Sequence, residues 1–165
     1  MSDRSPGSRL LRWWSVCARI PGGRWFFALA LRRMVPYTGS ISPRVERLEP
    51  GFARVSIRQR RRIEQHLGSI HAIALANLAE FAGGAAMTTA LPPGARGIVT
   101  RFAMEYFRKA RGVVTAESRV SLPSLESLSQ SRDHEVVADL TDEAGVMVAR
   151  AKVRWRIGQR SDGRE

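Results

Sequence analysis

Residues 65–87 read QHLGSIHAIALANLAEFAGGAAM, and the fold of the whole chain turns on this stretch. From Gly68 to about Met87 it is rich in Ala and Leu and has no internal proline, and Ser69 stands where an N-cap is expected, so the pattern predicts one long helix. Pro92 and Pro93 lie beyond its end. Small residues recur along it, at Ala72, Ala74, Ala76, Ala79, Ala82, Gly83, Gly84 and Ala85. A helix with so little side-chain bulk can lie close against a curved sheet.

On both sides of the helix the pattern changes to period two. Before it, Arg44 to Leu48 and Phe52 to Arg58 read as strands joined across Pro50 and Gly51, with Ala53, Val55 and Ile57 on one face of the second. After it, Ile98 to Tyr106 places Ile98, Thr100, Phe102, Met104 and Tyr106 on one face, and Val113 to Val120 has the face Val114, Ala116, Ser118 and Val120. A hairpin follows, with Val136, Ala138 and Leu140 on one arm and Met147, Ala149, Ala151, Val153 and Trp155 on the other. Ser121 to Ser131, rich in serine and leucine, reads as a loop. The order of hairpin, long helix and four antiparallel strands predicts an α+β domain in which one curved sheet wraps one central helix. Arg150, Lys152, Arg154 and Arg156 line the opposite face of the last strand, as a solvated face or a phosphate-binding row.

Toward the N-terminus, Leu10, Trp13, Trp14 and Cys17 fall at helical spacing with Arg9, Arg12, Ser15 and Arg19 opposite them. Pro21, Gly22 and Gly23 interrupt this helix, a second apolar helix runs from Arg24 to about Met34, and Pro36 ends it. Two roles fit these short helices: capping the core of the main domain, or attaching to a membrane surface through the tryptophans and arginines of residues 9–34. The expected organisation is a basic amphipathic helical segment over 1–36, the main domain over 37–158 and a polar tail over 159–165.

Composition narrows the function. A chain of 165 residues, 44% hydrophobic, can bury one good core. The single Cys17 excludes an intramolecular disulfide, and with three histidines it leaves little material for a zinc site, so neither metal nor cofactor is expected. The net charge of +12 is almost wholly arginine, Lys109 and Lys152 being the only lysines, and it suits nucleic acid, anionic lipid or a phosphate-bearing molecule. Nucleic acid ranks last, because no recognisable motif or interleaved aromatic strand surface accompanies the charge. The best apolar run, Trp25 to Leu31, is framed by Arg24, Arg32 and Arg33 and falls short of the about 20 residues of a membrane span. No secretory leader pattern is evident, and a cytoplasmic location is expected.

Candidate chemistry gathers at the start of the long helix, in Gln65, His66, Gly68, His71, Asn77 and Glu80. At about 100° per residue, His71 and Glu80 point to opposite faces and do not converge within one chain. A two-fold dimer with two such helices side by side would bring the start of one to Glu80 of the other. Backbone N–H groups around His71 and Ala72 would then stabilise an oxyanion with the help of the helix dipole. Glu80, desolvated among Ala and Leu, would act as general base on a water or as nucleophile. The plainer readings are an exposed Glu80 paired with an arginine, a structural His71 bonded to backbone, and an Asn77 that orients Glu80. Arg58, Arg60, Arg61 and Arg62 are either a solvated charge run or a site for phosphates.

The segment Gln65-His66-Leu67-Gly68-Ser69-Ile70-His71 followed by Glu80 resembles the hotdog-fold acyl-CoA thioesterases of the phenylacetate-pathway type. From about Pro36 to Ile157 the chain resembles the hotdog family of the DUF4442 type, through Pro36-Tyr37-Thr38-Gly39, His66-Leu67-Gly68-Ser69, Leu78-Ala79-Glu80 and the strand through Glu105-Tyr106. The resemblance implies a hotdog fold and hydrolysis of acyl-CoA or acyl-carrier-protein thioesters at an interface of a homodimer or homotetramer. It places Gln65 where the family has Asn, His71 at the motif His, Ala72 at the oxyanion donor and Glu80 at the catalytic acid. Thr100 falls near a strand hydroxyl that some members use. The chain departs from the pattern in Gln for Asn, Glu for Asp, and Ala72-Ile73 for a glycine pair, which keeps the N–H donors but restricts close backbone approach. The alternative is a non-catalytic hotdog module that binds acyl-CoA or lipid, or a dimerising scaffold.

Overall fold

The computed structural model describes residues 5–122 and 131–159. Helices α1 (Pro6–Arg19) and α2 (Gly23–Met34) come first, followed by the short α3 (Pro36–Ser40). Strands β1 (Arg44–Glu49) and β2 (Phe52–Arg58) form a hairpin. A 3-10 turn at Arg61–Ile63 and the two-residue strands β3 (Glu64–Gln65) and β4 (Ser69–Ile70) lead into the long helix α4 (Ala72–Ala90). Then come β5 (Ala95–Tyr106), β6 (Val113–Arg119), β7 (Arg132–Thr141) and β8 (Met147–Gln159). Among the described residues the main sheet runs β1-β2-β6-β7-β8-β5, antiparallel throughout. Helix α4 lies across β2, β6, β7 and β8, which makes this a hotdog fold.

The core follows from the alternation. Ala53, Val55, Ile57, Val114, Ala116, Ala138, Leu140, Ala149 and Ala151 are all wholly buried beneath α4. From the helix side Leu78, Ala79, Ala82, Ala86 and Met87 meet them, likewise without exposure. A carbon added at Gly83 would sit 3.5 Å from Val136 Cγ1, so the helix backbone already stands one methyl group from the sheet. The outer face of β8 is a paired surface: Arg156 reaches Asp133 at 3.0 Å, Arg150 reaches Asp139 at 2.5 Å, and Lys152 lies 3.9 Å from Glu105. These partners answer the phosphate-binding reading of the row with neighbouring carboxylates.

Three local expectations are corrected. The helix starts at Ala72, capped by His71, while Ser69 is wholly buried in β4. His71 N–H is held by the Ile63 carbonyl at 2.8 Å, and Ile70 N–H by Ala110 at 2.9 Å, so residues 69–71 stay extended. In β5 the register shifts between Val99 and Arg101, and Thr100 is the inserted residue of a bulge. Ile98, opposite Arg156, therefore falls on the outer face, whereas Phe102, Met104 and Tyr106 oppose Val153, Ala151 and Ala149 on the helix side. Finally, β8 continues through Gln159, into the expected tail. Residues 160–165 of that tail, and 123–130 of the expected loop, lie outside the described residues.

The two N-terminal helices share the core of the domain. Trp14 and Cys17 of α1 and Phe27 and Leu31 of α2 are buried in one continuous cluster with α4 and the sheet. The Trp13 and Trp14 rings stand 4.4 and 5.1 Å from the Phe27 ring. At the start of α1, Gly7 abuts the Thr88 carbonyl with no room for a side-chain carbon. Nearby, Thr89 Oγ1 accepts from Gly51 N–H at 3.1 Å, which ties the end of α4 to the β1–β2 turn, while its own proton has the Ala85 and Ala86 carbonyls at 3.0 Å and the Glu49 carbonyl at 3.1 Å within reach. Gly7→Ala should force α1 off α4, with a loss of about 1–3 kcal/mol in denaturant unfolding. An unchanged midpoint would show that α1 adapts at no cost.

Candidate active site

The start of α4 is built by a small lattice of hydrogen bonds. Gln65 and Ser69 face each other across β3 and β4, and Gln65 Nε2 donates to Ser69 Oγ at 2.6 Å. The turn between them passes through Gly68 at φ +67°, a left-handed backbone that glycine adopts without strain. The Gly68 carbonyl accepts from Arg111 Nε at 3.1 Å and Gln59 Nε2 at 3.4 Å. Gln59 is itself fixed by Gly112 N–H, which donates to Gln59 Oε1 at 2.9 Å. His66 and Leu67 at the tip are exposed.

These bonds decide which helix-start donors remain open. His71 Nδ1 accepts from Ile73 N–H at 3.1 Å, so the imidazole acts as the N-cap. His71 N–H is engaged by Ile63, which removes it from the pair of oxyanion donors expected from sequence. Ala72 N–H has no protein acceptor among the described residues and points out along the positive end of the helix dipole. Tyr106 Oη donates to the Ala72 carbonyl at 3.0 Å and pins this first turn to β5. Partial burial pushes the Tyr106 phenol up. Gln59, Arg111 and Tyr106 were not legible as site residues, because each acts through a partner far away in sequence.

Glu80 lies on the same helix, about 13 Å further along its axis and half a turn around from His71. Its carboxylate reaches solvent, yet one side is walled by protein: a carbon added at Gly84 would sit 3.6 Å from Glu80 Oε1 and 4.0 Å from Trp155 Cζ2. No hydrogen bond or ion pair holds Glu80 among the described residues, which removes the reading of an arginine partner. Desolvation raises its pKa, and Glu80 is the one carboxylate among the described residues with such a shift. Trp155, beside it, keeps a buried indole N–H with no acceptor.

The remaining candidates do different work. Asn77 is buried and donates from Nδ2 to the Tyr37 carbonyl at 3.1 Å, while its Oδ1 is buried without a partner. It therefore anchors α3 and does not orient Glu80, in correction of the sequence expectation. Thr100 Oγ1 donates to the Arg154 carbonyl at 3.2 Å and bridges the pairing that the bulge interrupts. Arg60 folds inward, with Nη2 on the Ser40 carbonyl at 2.8 Å and Nε buried without an acceptor, and burial followed by nearby Arg32 and Arg62 lowers its pKa. Arg58, Arg61 and Arg62 are exposed. No group of three or more His, Cys, Asp or Glu among the described residues could hold a metal ion.

The model of a domain of unknown function, DUF4442, matches residues 23–157. The chain belongs to the DUF4442 family. The match begins ahead of Pro36, so α2 is part of the DUF4442 unit. A crystal structure of a Pseudomonas aeruginosa protein of unknown function, described as a probable thioesterase, is 27% identical with a TM-score of 0.74, covering 86% of this chain and 97% of that one. A Haemophilus influenzae thioesterase is 15% identical with a TM-score of 0.64, over 74% of this chain and 82% of its own. The PaaI protein of the E. coli phenylacetic acid degradation operon is 17% identical with a TM-score of 0.64, over 82% of this chain and 94% of its own. The last two bear on the fold alone. No curated protein matches the chain by sequence.

The raised Glu80 pKa carries a signature in stability. The folded chain holds this proton more tightly than the unfolded chain, so the contribution is greatest below the ordinary carboxylate pKa and is lost as pH rises through the folded value. Glu80→Gln removes that loss. Its melting temperature relative to the parent should climb between acidic and neutral pH, and a flat difference would mean that Glu80 titrates as an ordinary surface carboxylate.

Proposed function

We propose that this protein hydrolyses an acyl thioester, carried by coenzyme A or an acyl carrier protein, at a site that two copies of the chain complete together. The observation that carries the reading is the unpartnered, desolvated Glu80 on the central helix of a hotdog fold. A carboxylate whose pKa is raised toward neutrality suits general-base work. The 27% identity to a structure described as a probable thioesterase supports it.

In this mechanism Glu80 takes a proton from water as the water oxygen attacks the thioester carbonyl carbon. The carbonyl oxygen becomes an oxyanion, received by Ala72 N–H at the helix start of the partner subunit. The tetrahedral intermediate collapses, the C–S bond breaks, and the thiolate leaves with the proton returned by Glu80. The products are a carboxylic acid and a free thiol. Direct attack by the Glu80 carboxylate is the variant route. Exposed Arg58, Arg61 and Arg62 would meet the substrate's phosphates.

The second copy is called for by distance and by the sheet. His71 and Glu80 stand about two and a half turns apart, on opposite faces of one helix, so one chain cannot present both to one carbonyl. Among the described residues strand β5 is an unpaired edge of twelve residues, with Ile98, Phe102 and Tyr106 exposed along it and Phe107 just beyond. An uncovered edge of this length and apolarity is a template for pairing. A homodimer through β5 would cover it and bring two α4 helices near each other.

A non-catalytic acyl-binding module is the second reading. It is favoured by the helix start itself, where the His71 cap and Ile63 leave Ala72 as the sole open donor.

Thiol release from acyl-CoAs of increasing chain length separates the two. Glu80→Gln should lower kcat by about 10²- to 10⁴-fold. Ala72→Pro removes one N–H at a position where proline suits the helix, and should cost about 10²- to 10³-fold. Mixing the two inactive variants should restore about a quarter of parental activity if each site draws on both chains, because half of the dimers are mixed and each holds one intact site. Absence of turnover in the folded, dimeric parent would overturn the hydrolase and leave the binding module.

A further inference from the structure

The arginines of this chain are distributed in two different ways. On the outer face of the sheet acids are interspersed with them and several are paired, as in Arg150 with Asp139, Arg156 with Asp133 and Arg54 with Glu117. Residues 5–45 hold seven arginines, at 9, 12, 19, 24, 32, 33 and 44, and no acidic residue at all. None of the seven makes an ion pair among the described residues, although Arg24 lies over the Trp14 ring at 5.8 Å. The α1–α2 hairpin is thus a block of unneutralised positive charge.

The same hairpin is apolar on both sides. Its inner face buries Trp14, Cys17, Phe27 and Leu31, as the fold requires. Its outer face, at the turn between the helices, exposes Val16 at 58%, Ile20 at 53%, Trp25 at 64% and Phe26 at 59%. The Trp25 and Phe26 rings stand 5.0 Å apart, and none of the four side chains belongs to the hydrophobic core. Beside them, a groove of about 740 Å³ runs between α2 and β1, with Arg24, Arg32 and Arg44 as cationic lining, Trp25 and Leu29 as apolar wall, and one carboxylate, Glu46, which lies 3.9 Å from Arg54. Ser42, at the strained φ of 50°, also lines the groove and keeps a buried hydroxyl with no partner.

We propose that the α1–α2 hairpin docks on a bilayer containing anionic phospholipid, with Ile20, Trp25 and Phe26 entering the interface, surrounding arginines meeting the headgroups, and the α2–β1 groove receiving a lipid phosphate. Tryptophan and phenylalanine flanked by arginine match the layered chemistry of a membrane surface, with phosphates outside and acyl chains inside. The charge opposes self-association through this patch, since two hairpins would bring together twelve arginines without an acid. No helix among the described residues is long and apolar enough to cross the membrane, so contact is from one side. This docking stands apart from the hydrolase reading, because none of its residues belongs to the proposed catalytic machinery.

The test is vesicle co-sedimentation of the full chain, with phosphatidylcholine vesicles against vesicles in which about a third of the lipid is phosphatidylglycerol. The parent should bind the anionic vesicles at least about tenfold more tightly, and added salt should weaken that binding. The paired change Trp25→Ser with Phe26→Ser, at exposed positions, should reduce binding at least about tenfold while the melting temperature stays the same. The pair Arg24→Gln with Arg32→Gln should erase the preference for anionic lipid. Quenching of tryptophan emission by brominated lipid should be lost in Trp25→Ser. The proposal falls if the parent stays in the supernatant with anionic vesicles, or if the Trp25/Phe26 variant pellets like the parent. It falls equally if that variant instead loses self-association or retention on DNA while vesicles leave the parent unbound.

Discussion

The close approach of α4 to the sheet is the constraint on which the rest of the molecule depends. It requires a helix face without bulk, supplied by Ala79, Ala82, Gly83 and Ala86, against strands whose inner positions include Ala53, Ala116, Ala138, Ala149 and Ala151. Close packing at this density leaves little place for a polar side chain on the inner face, where Ser118 is buried with its hydroxyl donating to the Val137 carbonyl at 2.8 Å. Polar chemistry is therefore displaced to the helix start and to its outer side. His71 and Ala72 occupy the first, Glu80 the second. The separation of these groups in one chain is a consequence of how the core is packed.

The two N-terminal helices extend that logic. Gly7 lets α1 touch the last turn of α4, and Trp14, Cys17, Phe27 and Leu31 close the core where the sheet does not reach. One face of the hairpin is fully accounted for by packing. The other carries apolar side chains and arginines that the fold does not use, and exposed aromatics of this kind cost solvation without an occupant. Core capping occupies one face of these helices, and the surface attachment proposed above would use the other, so the two alternatives read from sequence are compatible.

Periodicity carried most of the fold. The alanine-rich helix, the alternation of β2, β6, β7 and β8 and the amphipathic spacing of Trp13, Trp14 and Cys17 are all short-range signals, and all correspond to elements of the structure. Where long-range contacts compete with local preference, sequence reading fails. Ser69 looks like an N-cap until its buried position in β4 and the Ile63 bond to His71 are seen. Ile98 and Phe102 share a face only in a strand without a bulge, and nothing in the residues around Thr100 announces one. Asn77 stands three residues before Glu80, a spacing that suggests a shared task, but α3 folds over it and takes its amide. For the site, Glu80 stood out as an acid within an apolar helix, whereas Gln59, Arg111 and Tyr106 serve through partners 9 to 53 residues away.

Tyr106 connects the two halves of the functional argument. It lies at the end of β5, an edge strand of the sheet among the described residues, and its hydroxyl holds the carbonyl of Ala72, whose N–H is the open donor of the helix start. The bonded carbonyl lies one peptide beyond that N–H, so the bond steadies the donor through the helical first turn of α4 that both belong to. Whatever pairs with β5 thus presses on the position of the donor through one hydrogen bond. In an assembly through this edge, the contact that covers Phe102 and Tyr106 would also set the oxyanion donor relative to the Glu80 of the other chain. Dimer formation and preorganisation of the site would then be a single event, and a chain with an alanine in place of a flexible glycine at position 72 gains from having its one donor held in place.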